Sequence, residues 1–525
     1  MASVLDENTI SNEEALARTV HNGARIASGF ATSEPHTFYA TIWDHIRRHN
    51  VVDLTIRQAL FMAPHRLCLG DALSARGRFR FTRKLDGLRK LVAHYDELRA
   101  RRIVFDSAFI GAATNAVIPR NLLTRILCGR YVDRNTTRAG ITDMHAVHFP
   151  DGLETLVLAQ DGSPSIDTFV AVVTPPDANG EMSMGPANGA NTDALELTFK
   201  LKTIQLLLYI NPNYPFTRGH GDAPNTVHVG ALEALARAGK LLVVRDEGKI
   251  PAFPAGTFSQ PSRQEQAIAA NVANHIEVNR SSTYGRALQV GIGGTGALAI
   301  KALKDSSWTG RGYSEMLEPF TLDLLDAGRI KGSHIIERDG RRTELDGKFV
   351  CTFACGVEGD GFYKRLHNHP AVVLATASRV VIPEGFYYGL GINSCLGIDF
   401  HGHVNSGGRD RNYYSGIGGG AMIMRGLARG GIAYFCLKSV HTTPEGKLRS
   451  SIFPFMPRGT PIGHVGPDIM GGREGAKCFL VTEHGVAQLN RSTQANFIRS
   501  LISVADPRFR PWLKSQAWRE FRVCA

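Results

Sequence analysis

One carboxylate, Glu315, follows by about twenty residues a turn in which Gly291, Gly293, Gly294 and Gly296 crowd together. The pairing points to chemistry carried out by an unassisted glutamate beside main-chain N–H groups. Glycine lets the backbone approach a ligand closely, and N–H groups at a turn and a helix start favour negative charge, so an anionic ligand is expected there. The elements that must hold these groups are readable. Gln289 and Val290 are β-prone, and Ala297–Leu303 is a run of good helix formers, which predicts a strand, a tight turn and a helix.

Gly291, Gly293 and Gly296 also spell G-x-G-x-x-G between strand and helix, the dinucleotide-binding pattern. That reading needs an acidic residue about twenty positions on, at the end of a second strand. Glu315 and Glu318 lie near that distance, but they precede Phe320, Leu322, Leu324 and Leu325, the apolar face of a helix stopped by Gly328. A ribose-binding role is therefore poorly supported. Close strand-helix packing is the plain alternative for the glycines. For Glu315 it is a helix-start carboxylate, worth a few tenths to about 1 kcal/mol.

Separated segments along nearly the whole chain carry a family resemblance. In the first half they are FVAVVTPPDANGEMSMG (Phe169–Gly185) and INPNYPFTRG (Ile210–Gly219). In the second half they are the glycine turn, the SEM segment around Glu315, FACGVEGDGFYKRLHNHPAV, INSCLGIDFHGHVNSG, YYSGIGGGAMIMRGL and FLVTEHGVAQL. In order and approximate spacing the chain resembles the acetyl-CoA hydrolase/transferase branch of the class I CoA-transferases, which includes 4-hydroxybutyrate and succinyl-CoA:acetate CoA-transferases. The resemblance implies two tandem open α/β domains with the active site between them, a catalytic glutamate in the second, and a homodimer.

Carried over residue by residue, the resemblance makes Glu315 the catalytic glutamate, with Ser314 where the family has threonine. It places Ile292, flanked by Gly291 and Gly293, where a backbone N–H faces the reacting carbonyl. Asn368 falls on an oxyanion-binding asparagine, with His369 in place of the usual second one. Gly418 and Gly419 belong to a second glycine loop that closes on CoA, and Glu483 matches a second glutamate that orients the first. It also makes the TPPDANG segment a wall of the pocket. Glu318 reads as structural, and Glu358 as solvated.

A carboxylate can attack a thioester to give an acyl-glutamyl anhydride, and the released thiolate can return to give glutamyl-CoA. No metal or redox cofactor is needed, and CoA enters as substrate. Hydrolysis on the same fold differs only in whether water or a second acid meets the intermediate, and a nicotinamide-dependent oxidoreductase remains the third reading.

A chain of 525 residues exceeds one simple core. Strand-like runs such as Leu241–Val244 and Ala371–Ile382 alternate with helical ones such as Val229–Gly239, which indicates α/β layers. The Pro- and Gly-rich stretch Gly248–Arg263 places a boundary near Gln260, giving domains 1–260 and 261–525. No short-period repeat is visible. The polar N-terminus has no signal-peptide pattern and the apolar runs fall short of the roughly 20 residues of a membrane span, so a cytoplasmic protein with no membrane partner is expected.

Eight scattered cysteines without C-x-x-C suggest neither a disulfide framework nor a four-cysteine zinc site, and Cys351, Cys355 and Cys395 read as core residues. His401 and His403, beside Asp399, would share one face of a strand but lack a third ligand of familiar spacing, so no metal site is expected. His367 and His369 read as loop residues. The net charge of +12 makes anionic partners plausible. The basic residues are dispersed, however, apart from RGRFRFTRK (Arg76–Lys84), and no nucleic-acid motif appears, so the expected partners are acyl-CoA and small carboxylic acids.

Overall fold

The computed structural model describes the protein except at residues 1–3, 30, 59, 63–64, 73–84, 108–141, 145–147, 152–156, 160, 222, 292, 410–411, 414–415, 417, 444–445 and 491. The basic run Arg76–Lys84 and Ile292 thus fall wholly outside the described residues.

The first sheet contains β1 (Arg25–Ser28), β2 (Thr55–Gln58), β3 (Val104–Ser107), β4 (Thr142–Met144), β5 (Thr168–Val173), β6 (Gln205–Ile210) and β7 (Leu241–Arg245). Its strands are all parallel, in the spatial order β4-β3-β2-β1-β5-β6-β7. Parallel strands are covered on both faces, which is why the central ones read as unbroken apolar runs and why every residue of β5 is buried.

The second sheet contains β8 (Ala287–Val290), β9 (Arg311–Tyr313), β10 (Phe349–Cys351), β11 (Val372–Leu374), β12 (Leu390–Ser394), β13 (Ile432–Cys436), β14 (Lys477–Thr482) and β15 (Gly485–Gln488). Its order is β11-β10-β9-β8-β12-β13-β14-β15, and only the closing β14–β15 hairpin is antiparallel. The two sheets therefore share one winding. Each runs outward from its first strand through three neighbours, then returns to the other side of that strand. The reversal falls between β1 and β5 in the first sheet and between β8 and β12 in the second. In open parallel sheets, ligands bind outside the carboxyl ends of the strands at such a reversal.

Helix α1 (Arg263–Val278) opens with a capping box, in which Ser262 Oγ accepts from Glu265 N and the Glu265 carboxylate accepts from Ser262 N. Helix α2 (Gly294–Asp305) follows β8 across the glycine turn, and the two helices pack against one face of the second sheet. The expected helix after Glu318 is present at Thr321–Asp326, with Gly328 beyond it at φ +63°. The run Ala371–Ile382, expected as one strand, divides instead into β11 and a helical turn at Ala377–Val380. β11 is buried and the turn buries Ala377 and Val380, so the apolar residues alone carry no period that separates strand from helix.

The halves meet through main-chain contacts. Thr352 O accepts from Asn188 N at 2.9 Å and Gly189 N at 3.1 Å, Ala354 N donates to Pro186 O at 2.7 Å, and Thr32 Oγ1 donates to Ala354 O at 2.9 Å. The segment ERDGRRTELDGK forms most of a hairpin, Ser333–Arg338 with Arg341–Asp346, turning at Asp339 and Gly340, both with positive φ.

Candidate active site

Glu315 stands between β9 and a short strand, Met316–Leu317, that pairs with Phe353–Ala354. Its backbone is held from two sides. Ser314 Oγ donates to Val290 O and accepts from Val290 N, both at 3.2 Å, which locks the end of β9 to the end of β8. Thr352 donates from both its N and its Oγ1 to Glu315 O at 2.9 Å. A hydroxyl is what this tie needs at position 314, and serine supplies it.

The half-buried Glu315 side chain faces a cavity of about 270 Å³. The second sheet contributes Gln289, Val290 and Gly291 from the end of β8, and Asn393 and Ser394 from the end of β12. These are the two sides of the strand-order reversal. The first half contributes Ala31 after β1, Leu60 after β2, and Phe149. The glycine loop at Gly416 and Gly418–Gly420 closes another side, ahead of helix α3 (Gly420–Leu427).

Gly419 N donates to Glu315 Oε2 at 2.6 Å. Burial raises the Glu315 carboxyl to about 7, and the Gly419 N–H offsets part of the rise. A Cβ at Gly419 would lie 2.3 Å from Glu315 Oε2 and 2.2 Å from Val381 Cγ1, so only glycine lets this N–H reach the carboxylate. Gly291 is fixed by a similar approach, since its Cβ would stand 2.5 Å from Asn393 Oδ1. The Asn393 and Gln289 amides exchange two hydrogen bonds, Gln289 Nε2 to Asn393 Oδ1 at 3.0 Å and Asn393 Nδ2 to Gln289 Oε1 at 2.9 Å. The cavity thus joins a desolvated carboxylate, one main-chain donor on it, and a rigid floor. That arrangement suits a nucleophile whose developing oxyanions need fixed donors.

The structure brings Glu315, Gly291, Gly418 and Gly419 together at this cavity. Gly293, with φ +147°, caps α2 just behind it. Asn368 is elsewhere. It is exposed, has φ +50°, donates its N to Phe216 O at 2.7 Å, and lies 3.0 Å through Nδ2 from His367 Nε2. Glu483 also lies outside the lining residues, in the turn between β14 and β15. There Ser439 N donates to it at 3.0 Å and Ser439 Oγ at 2.6 Å, with Gln264 Nε2 a further donor. Burial would raise its carboxyl, but these donors prevail and hold it below the usual range. The TPPDANG segment is likewise absent from the lining: Asp177 Oδ1 accepts from Asn179 N and Glu181 N and forms a turn.

Sequence reasoning missed Gln289, Asn393, Ser394, Ser406 and His464, and every lining residue of the first half. Gln289 left a signal, as a polar side chain in a strand that is otherwise apolar. Ala31, Leu60 and Phe149 left none, because their role lies only in where the chain returns.

Glu318 behaves differently from Glu315. It is 1 % exposed, and the Gly293 backbone N–H acts on its carboxylate without reaching good hydrogen-bond geometry. Burial pushes its carboxyl well above the ordinary range, and the Gly293 N–H offsets part of the rise. Cys351, Cys355 and Cys395 are buried, and burial pushes the Cys355 thiol up to about 12, which removes the thiolate a nucleophile needs. His401 and His403 are tied into a turn by Asp399, which accepts from both backbone N atoms and faces His403 Nδ1 at 3.0 Å. One trio among the described residues, Glu34, His36 and His65, offers atoms within 4.8 Å of one another. Glu34 already accepts from Met62 N at 2.8 Å and pairs with His65, which ties together the two loops behind Ala31 and Leu60.

The comparisons with known proteins agree with this architecture. RipA from Yersinia pestis superposes with a TM-score of 0.70 at 21% identity, covering 99% of both chains. The 4-hydroxybutyrate CoA-transferase from Porphyromonas gingivalis gives 0.63 at 20% identity, covering 98% of both. The fold is that of the CoA-transferases. Residues 359–517 match the acetyl-CoA hydrolase/transferase C-terminal domain. Among curated relatives, the 4-hydroxybutyrate coenzyme A transferase of Clostridium kluyveri is 28% identical over 361 residues, 68% of this chain and 73% of that protein. The succinyl-CoA:cyclohexane-1-carboxylate CoA transferase of Geobacter metallireducens is 26% identical over 400 residues, 75% of this chain and 79% of that protein.

Proposed function

We propose that the protein transfers CoA between an acyl-CoA thioester and a free carboxylic acid, with Glu315 as nucleophile. The observation that carries the reading is a desolvated carboxylate in a cavity at the strand-order reversal, with Gly419 N 2.6 Å from its Oε2. The transferase activity named for the relatives above supports it.

A Glu315 oxygen attacks the thioester carbonyl, and the C–S bond breaks to release CoA thiolate and leave an acyl-glutamyl anhydride. The thiolate then adds to the glutamyl carbonyl and expels the acyl group as its carboxylate, leaving glutamyl-CoA. An incoming acid repeats both steps in reverse. When the thiolate adds, charge develops on the glutamyl oxygen, and Gly419 N–H is positioned to meet it. A donor fixed in the backbone needs no reorganisation at that moment.

With acyl-CoA and no acceptor, intact-protein mass spectrometry followed by peptide mapping is expected to find CoA, less one water, on the peptide containing Glu315, and nothing on Glu315→Ala. An unmodified wild-type protein that still exchanges CoA would remove the covalent mechanism. Steady release of free CoA without an acceptor would instead identify a hydrolase.

The pH dependence follows from the same site. The attacking form is the ionised one, and the folded-state carboxyl is raised to about 7, so kcat/KM is expected to rise with pH through an apparent pKa near 7 and to fall about tenfold per pH unit well below it. A profile flat from pH 5 to 8 would contradict this role for Glu315.

A further inference from the structure

We infer that the acids handled at this cavity carry an uncharged, apolar side chain, being aliphatic, alicyclic or aromatic monocarboxylates and not dicarboxylates. The inference rests on the proposed transfer reaction and concerns what surrounds the nucleophile.

Apart from Gln289, Asn393, Ser394, Ser406, His464 and the glycine loop, all of them uncharged, the walls around Glu315 are apolar from both halves. Leu60 and Phe149 face it from the first, and Met316, Phe353, Ile423 and Phe435 from the second. The Phe149 and Phe353 rings meet edge to face with centroids 6.3 Å apart, so the junction of the halves is itself aromatic. Among the described lining residues no lysine or arginine appears, and His464 is the only ionisable group besides Glu315. Burial pushes His464 down to about 4, which leaves it a neutral hydrogen-bonding group at neutral pH. The Gln289 and Asn393 amides are engaged with each other.

A dicarboxylic acid bound with one carboxylate at Glu315 would carry a second charge into these walls, and a buried charge without a partner is strongly disfavoured. An apolar acid meets the opposite balance, gaining about fourfold in kcat/KM for each CH₂ that the wall covers. At about 270 Å³ the cavity takes an acyl group and the thioester end of CoA, leaving the nucleotide outside.

The test offers wild-type protein acetyl-CoA or butyryl-CoA with acetate, butyrate, cyclohexanecarboxylate, benzoate or succinate, and quantifies each new acyl-CoA by mass. The expected result is a kcat/KM for the best apolar acid at least about 100-fold above that for succinate. Succinate equal to or better than the apolar acids overturns the inference and leaves the transfer reaction standing. Absence of exchange with every acid removes the transfer reading, and the inference with it. Leu60→Arg, at a partly exposed position, adds a cation to the wall and is expected to move the succinate-to-butyrate ratio at least about tenfold towards succinate. An unchanged ratio in folded Leu60→Arg would show that the acyl group lies elsewhere and would also overturn the assignment.

Discussion

Glu315→Gln is expected to lower the rate of CoA exchange by about 10,000-fold or more, the scale of losing a covalent nucleophile, while Glu318→Gln stays within a few-fold of wild type. The two carboxylates are three residues apart, but their surroundings differ. Glu315 opens onto the cavity and its Oε2 meets Gly419 N–H. Glu318 is sealed off and does not line the cavity. Burial favours its neutral form, and glutamine replaces it with a neutral group of almost the same shape. Steady-state exchange assays on both variants check the prediction, with circular dichroism to confirm folding. Equal losses in the two, or an active Glu315→Gln protein, would reassign the nucleophile.

Gly419→Ala is expected to reduce kcat/KM by at least about 100-fold, the usual effect of losing one oxyanion donor. The backbone at Gly419 has φ −84°, which alanine adopts freely, so no conformational strain contributes. The effect comes from space. The added methyl would overlap Glu315 Oε2 and Val381 Cγ1, at 2.3 and 2.2 Å, and both must move. Moving the carboxylate breaks the 2.6 Å hydrogen bond and displaces the attacking atom. Overpacking of this kind typically costs about 1–3 kcal/mol of stability, so a melting curve run beside the kinetics separates a disturbed site from an unfolded protein. Full activity in a folded variant would mean that this N–H does not take part.

The amino-acid sequence alone determined the local elements and the chemistry-bearing residues on them. The strand, glycine turn and helix at Gln289–Leu303 were readable because each state has its own residue preferences at short range. The same holds for the apolar face after Glu318. The motif around Glu315 and the second glycine loop at Gly418–Gly419 were legible through the resemblance to the CoA-transferase family, not through any local pattern of their own.

Only the tertiary structure decided which of these groups converge. The identical winding of the two sheets leaves no sequence repeat, because a buried parallel strand requires apolar character and not particular residues. Phe149, Leu60 and Ala31 come to Glu315 through long-range strand pairing, to which no local pattern refers. Asn368 and Glu483 lie in recognisable segments, yet their loops carry them away from the cavity lining, and the difference between Glu315 and Glu318 is one of burial. A carboxylate's identity is written in the chain, but the water, donors and neighbours that set its reactivity are supplied by residues distant in sequence.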